Sequence, residues 1–492
     1  MRNRTHGPIR GPFEERSSSG TVFHLPEETG GEGSDSSRAG GMRVGKVYRL
    51  VAVALALSVA LVPGMFMNDD GPWNQAENDL TMPSAEGAVP TGPASDASKA
   101  VTTDMRSWTV AVYWDADNNL ESITDAMVSL WLDSLTDRTD VAMSIYIDRL
   151  YGPANVSTVT EDGWTEALAL GEVNSSDPDT LSSFIEFTVT EPTLAAENYI
   201  LILQDHGLGY LGTLCDESEP VKAWMSIDGI RSAMLDAADS TGEKVDIVAL
   251  DACCMSTVEV AYELRDTASY LVSSELTVPF DGLNYLALLS GLSEDPGISP
   301  TDLACKMVDD YGDWYSAPLG TYPTLYPYMQ DFGTLSAVDL TKMPALGDAI
   351  AAFTEAVLPK DGSLVTPLNI ATNHNFVFKW ENNMCVGFNA DLMGMFAELA
   401  TTVRDTHPGV AALCDDIVDA AQDAIVKNWA SWRFHGTPTG ISIFTPPGVG
   451  IYDVYWDGLC RVYDQLGLDF VDDTRWDEVL MSYYLANKCA GV

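Results

Sequence analysis

Basic residues are scarce in this 492-residue chain: 26 Lys and Arg stand against 72 Asp and Glu, a formal net charge of −46. Such a surface repels a polyanion, which excludes nucleic acid as a partner. The first 60 residues carry 8 basic and 6 acidic side chains, so the acidity belongs to residues 61–492. It reads as a solvated surface suited to salty surroundings, with long-range attraction of basic substrates as its functional counterpart. Cysteine is sparse and scattered. The eight residues at 215, 253, 254, 305, 385, 414, 460 and 489 form no CxxC pair and no Cys/His ligand spacing, so no zinc site is suggested. A free catalytic thiol would leave an odd number, which cannot all pair within one chain, and buried free thiols are the default for the rest. Histidine is rarer still, with six residues, two of them in the first 24.

Long hydrophobic runs are also missing, with one exception. Residues 50–67 (LVAVALALSVALVPGMFM) are uncharged, follow Arg43, Lys46 and Arg49, and precede Asn68, Asp69 and Asp70. This is an export signal with its basic flank inside, read either as a cleaved signal peptide or as a single retained membrane anchor. Pro63 and Gly64 break its end, and Ser58-Val59-Ala60 offers a small-residue cleavage pattern. Residues 1–41, rich in Gly, Ser, Arg and Glu, read as a disordered extension, or as an artefact of start-site choice if translation begins at Met42. Residues 68–105, dense in Pro, Gly, Ala, Ser and Asp, read as a linker or pro-region. The folded body is expected over 106–486, outside the membrane.

Within that body, apolar runs alternate with helical periodicity. Residues 108–114, 141–147, 199–203, 245–250 and 270–273 read as strands, with helices over 120–135 and 227–238, which is a βαβ pattern. Strands so nearly apolar belong in a parallel sheet covered on both faces. Beyond Asn284 the chain reads as mostly helical (303–311, 346–357, 410–429 and 471–484, the last with Trp476 facing inward). Strand-like pieces interrupt it at 384–388 and at 441–444, the latter expected to join the main sheet. The fold class is therefore α/β, with helices on both sides of a mainly parallel sheet and a helical C-terminal region packed on it.

Parallel sheets place ligand sites at the carboxyl ends of their strands. Three polar clusters sit just past such ends: Asp115 to Asn119, Asp205-His206-Gly207 and Asp251-Ala252-Cys253. A thiol attacks a carbonyl as thiolate and needs a neighbouring base to shed its proton, for which histidine is the usual supplier. Of the histidines in the body, at 206, 374, 407 and 435, His206 alone directly follows an apolar strand and precedes a glycine-rich turn, Gly207-Leu208-Gly209. Those glycines let backbone approach a substrate, and Gly207 is the candidate oxyanion donor. A lone histidine or a lone buried cysteine is more often structural. The pairing at the ends of consecutive apolar strands is what points to nucleophilic catalysis.

The chain resembles the clostripain-like cysteine peptidases of the caspase-like clan. The marks are WTVAVYWDADNNLE (108–121), DHGLG (205–209), LDACCMSTVEVAYELRD (250–266), SSELTVPFDGLNY (273–285), TLSAVDL (334–340), ISIFTP (441–446) and DDTRWDEVL (472–480). The separation of 47 positions between His206 and Cys253 is also close to the spacing of about 50 between the caspase His and Cys. The resemblance implies a caspase-like α/β/α sandwich, a His206/Cys253 dyad, and an S1 pocket lined by Asp251 and Asp281 that accepts Arg, and Lys more weakly, at P1 of protein or peptide substrates. It further implies synthesis as a zymogen, clipped at a basic residue between histidine and cysteine, for which Lys222 is the candidate. The chemistry needs no cofactor; the resemblance implies calcium for activation or stability, with no ligands named. Three positions depart from the family pattern: Cys254 stands where Leu is usual, Asp205 where Asn is common, and Leu208 where Gly is frequent. Adjacent residues of an extended chain face opposite ways, so only one of the two thiols can face the base, and the Asp-Ala-Cys block selects Cys253. The competing reading is a catalytically silent, surface-anchored binding protein of the same fold.

Overall fold

The structure is a computed structural model that describes residues 105–135, 141–218, 223–318, 333–358, 361–375, 389–432, 438–445 and 463–490. The expected leader, linker, Lys222, His435 and the strand-like run at 384–388 lie outside them. Among the described residues no helix is long and apolar enough to cross a membrane.

In chain order the strands are β1 (Arg106–Ala116), β2 (Val141–Arg149), β3 (Gly152–Thr160), β4 (Gly163–Gly171), β5 (Ala196–Gln204), β6 (Thr213–Asp216), β7 (Ala223–Met225), β8 (Ile247–Asp251), β9 (Tyr270–Ser273), β10 (Thr334–Asp339), β11 (Asn389–Asp391), β12 (Ile425–Ala430) and β13 (Ser442–Phe444). Nine of them build one sheet in the order β12-β10-β9-β8-β5-β1-β2-β3-β4. The pairs β2·β1, β1·β5, β5·β8 and β8·β9 are parallel, and antiparallel strands close both edges. The α/β fold with a mainly parallel centre and a helical C-terminal region is as expected.

The burial pattern explains why the central strands are apolar throughout. Val110, Val112 and Trp114 of β1 join Ile200, Ile202 and Ile247 in one core, which the helices Glu121–Leu135 and Tyr285–Glu294 cover through Trp131 and Tyr285, whose rings lie 4.6 Å apart. Tyr113 stacks on Tyr146 at 4.2 Å, and both rings meet Phe184 of the helix Pro178–Thr190. Strands sandwiched in this way have no solvent face, and alternation disappears.

Three features differ from the sequence expectation. The antiparallel hairpin β3–β4 at one edge was not foreseen, because β4 is largely exposed and its Ala and Leu residues suit a helix as well as a strand. The stretch expected as one helix over 410–429 divides into a helix, Pro408–Ala424, and the edge strand β12. The run at 441–444 does not join the main sheet. It pairs antiparallel with β11 in a separate two-stranded sheet and meets the segment after Cys253 through an isolated bridge from Ser442 to Thr257 and a bond from the Ser442 amide to the Ser256 carbonyl at 3.0 Å.

The C-terminal region is held by buried carboxylates on the short helix Val258–Glu263, capped by the Thr257 hydroxyl. Glu259 accepts from the Phe444 amide and the Tyr463 hydroxyl, both at 2.9 Å, and Glu263 from the Phe470 amide at 2.9 Å. Trp476 is fully buried, as expected, with its indole N–H donating to the Phe444 carbonyl at 2.8 Å.

Candidate active site

β1 pairs with β2 on one side and with β5 on the other, so chain order reverses between β1 and β5. The crevice at such a switch point, beyond the carboxyl ends of the strands, is where an α/β sheet binds its ligand. β1 delivers residues 115–119 there, β5 delivers Asp205 and His206, and β8 delivers Asp251 to Cys254.

Backbone packing brings the histidine and cysteine segments together. A side chain at Gly207 would be driven into the carbonyl oxygen of Cys253 and the Met255 sulfur, and one at Gly209, where φ is +61°, would meet the Cys254 carbonyl at 3.1 Å. Only glycine permits both the left-handed turn and the contact. Thr213 pins the turn by donating its hydroxyl to the His206 carbonyl at 2.6 Å. His206 itself is half-buried, and its Nε2 lies 2.8 Å from Asn119 Oδ1. An amide oxygen only accepts, so Nε2 donates this bond.

Asn119 falls within one of the family motifs, but the sequence alone gives it no role. The available signal was a run of polar residues directly after a central strand. Asp205, the departure beside the histidine, faces inward. It is 4% exposed and accepts from Asn118 Nδ2 at 2.8 Å and from the Cys215 amide.

The two adjacent thiols are separated by a turn. In place of the extended chain expected from the sequence, residues 252–254 form a turn, with Cys254 in the left-handed region at φ +61°. That conformation costs a non-glycine residue roughly 1–2 kcal/mol. The Cys254 amide donates to the Leu276 carbonyl at 2.8 Å, while Cys253 Sγ accepts from the Val278 amide at 3.4 Å. Burial pushes the Cys253 thiol up to about 11, partly offset by the Val278 amide and reinforced by Asp251 and Asp205. Burial drives the Cys254 thiol higher still. Cys253 therefore rests protonated and needs a base when it reacts.

Asp251 is 4% exposed; its Oδ2 accepts from the Leu283 amide at 3.1 Å and the Tyr285 hydroxyl at 2.8 Å. Its Oδ1 is buried with no hydrogen-bond partner among the described residues. Gly282, at φ +65°, lies so close that any side chain there would strike this carboxylate. Asp281 is likewise buried, and both carboxylates lie near enough to Tyr315 to oppose its ionisation. Burial raises the Asp251 carboxyl to about 6. Among the described residues, the cysteines at 215, 253, 254, 305 and 414 form no disulfide.

A thiol and an imidazole at neighbouring ends of central parallel strands, under helices on both faces, define the class: a caspase-like α/β cysteine peptidase fold. The chain belongs to the clostripain family, whose sequence model matches residues 112–483. It is similar to clostripain of Hathewaya histolytica, with 28% identity over 242 residues; the match takes in 42% of this chain and 46% of that protein, so the chain spans about half the length of that relative. Two solved structures share the fold. One is a secreted C11 cysteine protease from Bacteroides thetaiotaomicron in complex with an irreversible peptide inhibitor (16% identity, TM-score 0.55), covering 75% of this chain and 99% of that one. The other is an inactive zymogen C11 protease from Parabacteroides distasonis (17% identity, TM-score 0.55), covering 76% and 99%.

Proposed function

We propose that this chain is an exported cysteine endopeptidase that cleaves proteins after Arg, and more weakly after Lys, with Cys253 as nucleophile and His206 as general base. The observation that supports the proposal is the close packing of Gly207 on the Cys253 carbonyl, which draws the histidine turn and the cysteine turn together while Asn119 holds the imidazole. In the reaction His206 Nδ1 takes the thiol proton as Sγ attacks the scissile carbonyl carbon. The developing oxyanion turns toward the backbone amide of Gly207. His206 then returns the proton to the departing amine, and a water molecule deprotonated by the same imidazole hydrolyses the thioester. The buried, unpartnered Asp251 Oδ1 supports a cationic P1 side chain, which would supply the missing donors in bidentate geometry, with Asp281 beside it.

Export is supported by the apolar run 50–67 behind its basic flank and by a relative described as secreted. Self-activation at Lys222 is supported by its position between His206 and Cys253 and by a relative described as an inactive zymogen. One preparation tests the whole reading: the chain is assayed on fluorogenic peptides ending in Arg, Lys, Asp and Leu while its fragments are sized. The expected order is Arg above Lys, no turnover of Asp or Leu, and a cut that Lys222→Ala prevents. No turnover of any peptide would leave the silent binding protein in its place.

Asn119 acts through His206 and is a positioning residue. Asn119→Ala is expected to lower kcat by on the order of 10- to 100-fold with KM little changed, because the proton transfer and not the binding of substrate depends on the imidazole's orientation. Asn119→Asp should restore much of kcat while moving the acid limb of the pH profile upward, since a carboxylate stabilises the imidazolium. A parallel rise in KM, or an unmoved acid limb in Asn119→Asp, would assign Asn119 to scaffolding.

A further inference from the structure

At the end of β8, two helices bring three tyrosines to one carboxylate. Ile247 and Ala249 of β8 point into the core that Tyr285, Tyr311 and Tyr315 share. Side chains alternate along a strand, so Asp251 leaves β8 on that same face. Tyr285 opens the helix Tyr285–Glu294, while Tyr311 and Tyr315 stand one turn apart on the helix Pro300–Ser316, their rings 4.4 Å from one another.

Two of the three hydroxyls are committed. Tyr285 shares its proton between Asp251 Oδ2 at 2.8 Å and Gln204 Oε1 at 3.0 Å. Tyr315 donates at 2.8 Å to the carbonyl of Gly282, the residue that presses on the Asp251 carboxylate. Tyr311 is different: it is fully buried, and its Oη has no hydrogen-bond partner among the described residues. Burial keeps this hydroxyl protonated, and Asp251 and Cys253 lie near enough to oppose its ionisation further. Asp251 Oδ1 is the matching open position on the acid. Buried polar atoms are costly to leave unpaired, and here two of them face the same place.

Strand order puts the Tyr311 hydroxyl at the rim of the sheet. β9 runs parallel to β8 and β10 antiparallel to β9, so β10 begins where β8 and β9 end. Gly333 directly precedes β10 with φ at +140°, and a side chain on it would fall 2.7 Å from Tyr311 Oη. Only glycine combines that backbone with free space over the hydroxyl. Tyr311 is thus rooted in the helical layer but ends at the strand termini that carry Asp251 and Cys253.

We propose that Tyr311 is a specificity-determining residue of the substrate pocket, its hydroxyl oxygen accepting an N–H from the guanidinium of a P1 arginine while other N–H groups of that guanidinium meet Asp251 Oδ1. The inference rests on the Arg-directed peptidase reading above. A guanidinium carries five donors in one plane and no acceptor, so a carboxylate cannot satisfy all of them. The phenol oxygen accepts one more and can turn its own proton to a carboxylate. A lysine ammonium has three donors on a single tip, which the acids and water can take, so it has less use for a further protein acceptor. Tyr311 therefore favours Arg over Lys by hydrogen-bond count, where Asp251 and Asp281 supply charge to both. It lies outside the motifs that carry the family resemblance.

The test is Tyr311→Phe in the full chain, assayed on two peptides that differ only in Arg or Lys at P1. On the Arg peptide kcat/KM is expected to fall on the order of tenfold and on the Lys peptide by less than about threefold, so the Arg-to-Lys ratio drops. Inactivation by iodoacetamide, a small neutral reagent that does not need the pocket, should keep the parent's rate. The melting temperature should not fall, because the hydroxyl removed has no partner to lose. An unchanged ratio, equal losses on both peptides or slowed alkylation overturns the proposal. A variant that melts lower or does not fold places the hydroxyl in the scaffold and overturns it as well. The parent protein separates the two levels: if it cleaves after Arg while Tyr311→Phe keeps its ratio, Tyr311 alone is withdrawn. A parent inactive on both peptides withdraws the peptidase reading and this role with it.

Discussion

Cys253→Ala is expected to lower kcat/KM on Arg peptides by on the order of 10⁴-fold or more, while Cys254→Ala retains activity within about threefold. The two thiols are adjacent in sequence and their burial pushes both pKa values up, so electrostatics alone does not choose between them. The backbone does. Gly207 packs on the Cys253 carbonyl, which sets the histidine turn against that residue, and Cys253 Sγ is oriented by the Val278 amide. Cys254 sits in the left-handed part of a turn with its amide committed to Leu276. Its strain also predicts that glycine would be better tolerated there than alanine. Activity that survives Cys253→Ala and disappears in Cys254→Ala would reverse the assignment. The assay is steady-state hydrolysis of an Arg peptide, with each variant's fold checked by circular dichroism.

The second large effect concerns Asp251. Asp251→Asn keeps the shape and an acceptor for the Leu283 amide and Tyr285 hydroxyl but removes the charge, and it should cost Arg peptides about 10²- to 10³-fold in kcat/KM. That range corresponds to about 3–4 kcal/mol, the usual loss when a buried ion pair is left with one partner. Asp281→Asn should cost less, because the orphaned buried oxygen belongs to Asp251.

Acidity provides a separate signature. Burial holds the Asp251 carboxyl at about 6, so below pH 6 the free enzyme carries it neutral and loses its attraction for a cation. For Arg peptides kcat/KM should therefore fall as pH drops through 6. The same limb should sit lower in kcat, since a bound guanidinium favours the ionised carboxylate. In Asp251→Asn the fall should become shallower, because the part that comes from Asp251 is gone and only the limb of the general base remains. Undiminished turnover of Arg peptides by Asp251→Asn would place the specificity pocket elsewhere.

Much of the fold was legible because the central strands are buried on both faces and so appear as uninterrupted apolar runs, each ending in a polar residue. His206, Asp251 and Cys253 could be found in this way, since the parallel-sheet rule places strand ends on one rim. Elements without that burial signature escaped. The exposed β4 carries a short Ala-Leu run that suits a helix as well as a strand, and β12 continues a helix without any break in apolar content. The motif ISIFTP was recognisable, but which partner Ile443 and Phe444 would take was not, because strand pairing depends on what lies alongside.

By itself, then, the sequence determined the parallel α/β core, the pairing of one histidine with one Asp-Ala-Cys block, and the acidic surface, since each arises from local residue order or from composition. Tertiary structure alone decided what those residues touch. The turn that sets Cys254 aside, the amide of Asn119 that holds the His206 imidazole, and the meeting of Asp117, Asp148 and Asp216 join positions up to 99 residues apart. Contacts of that kind arise from strand register and close packing across the sheet, which linear order does not encode in any local pattern.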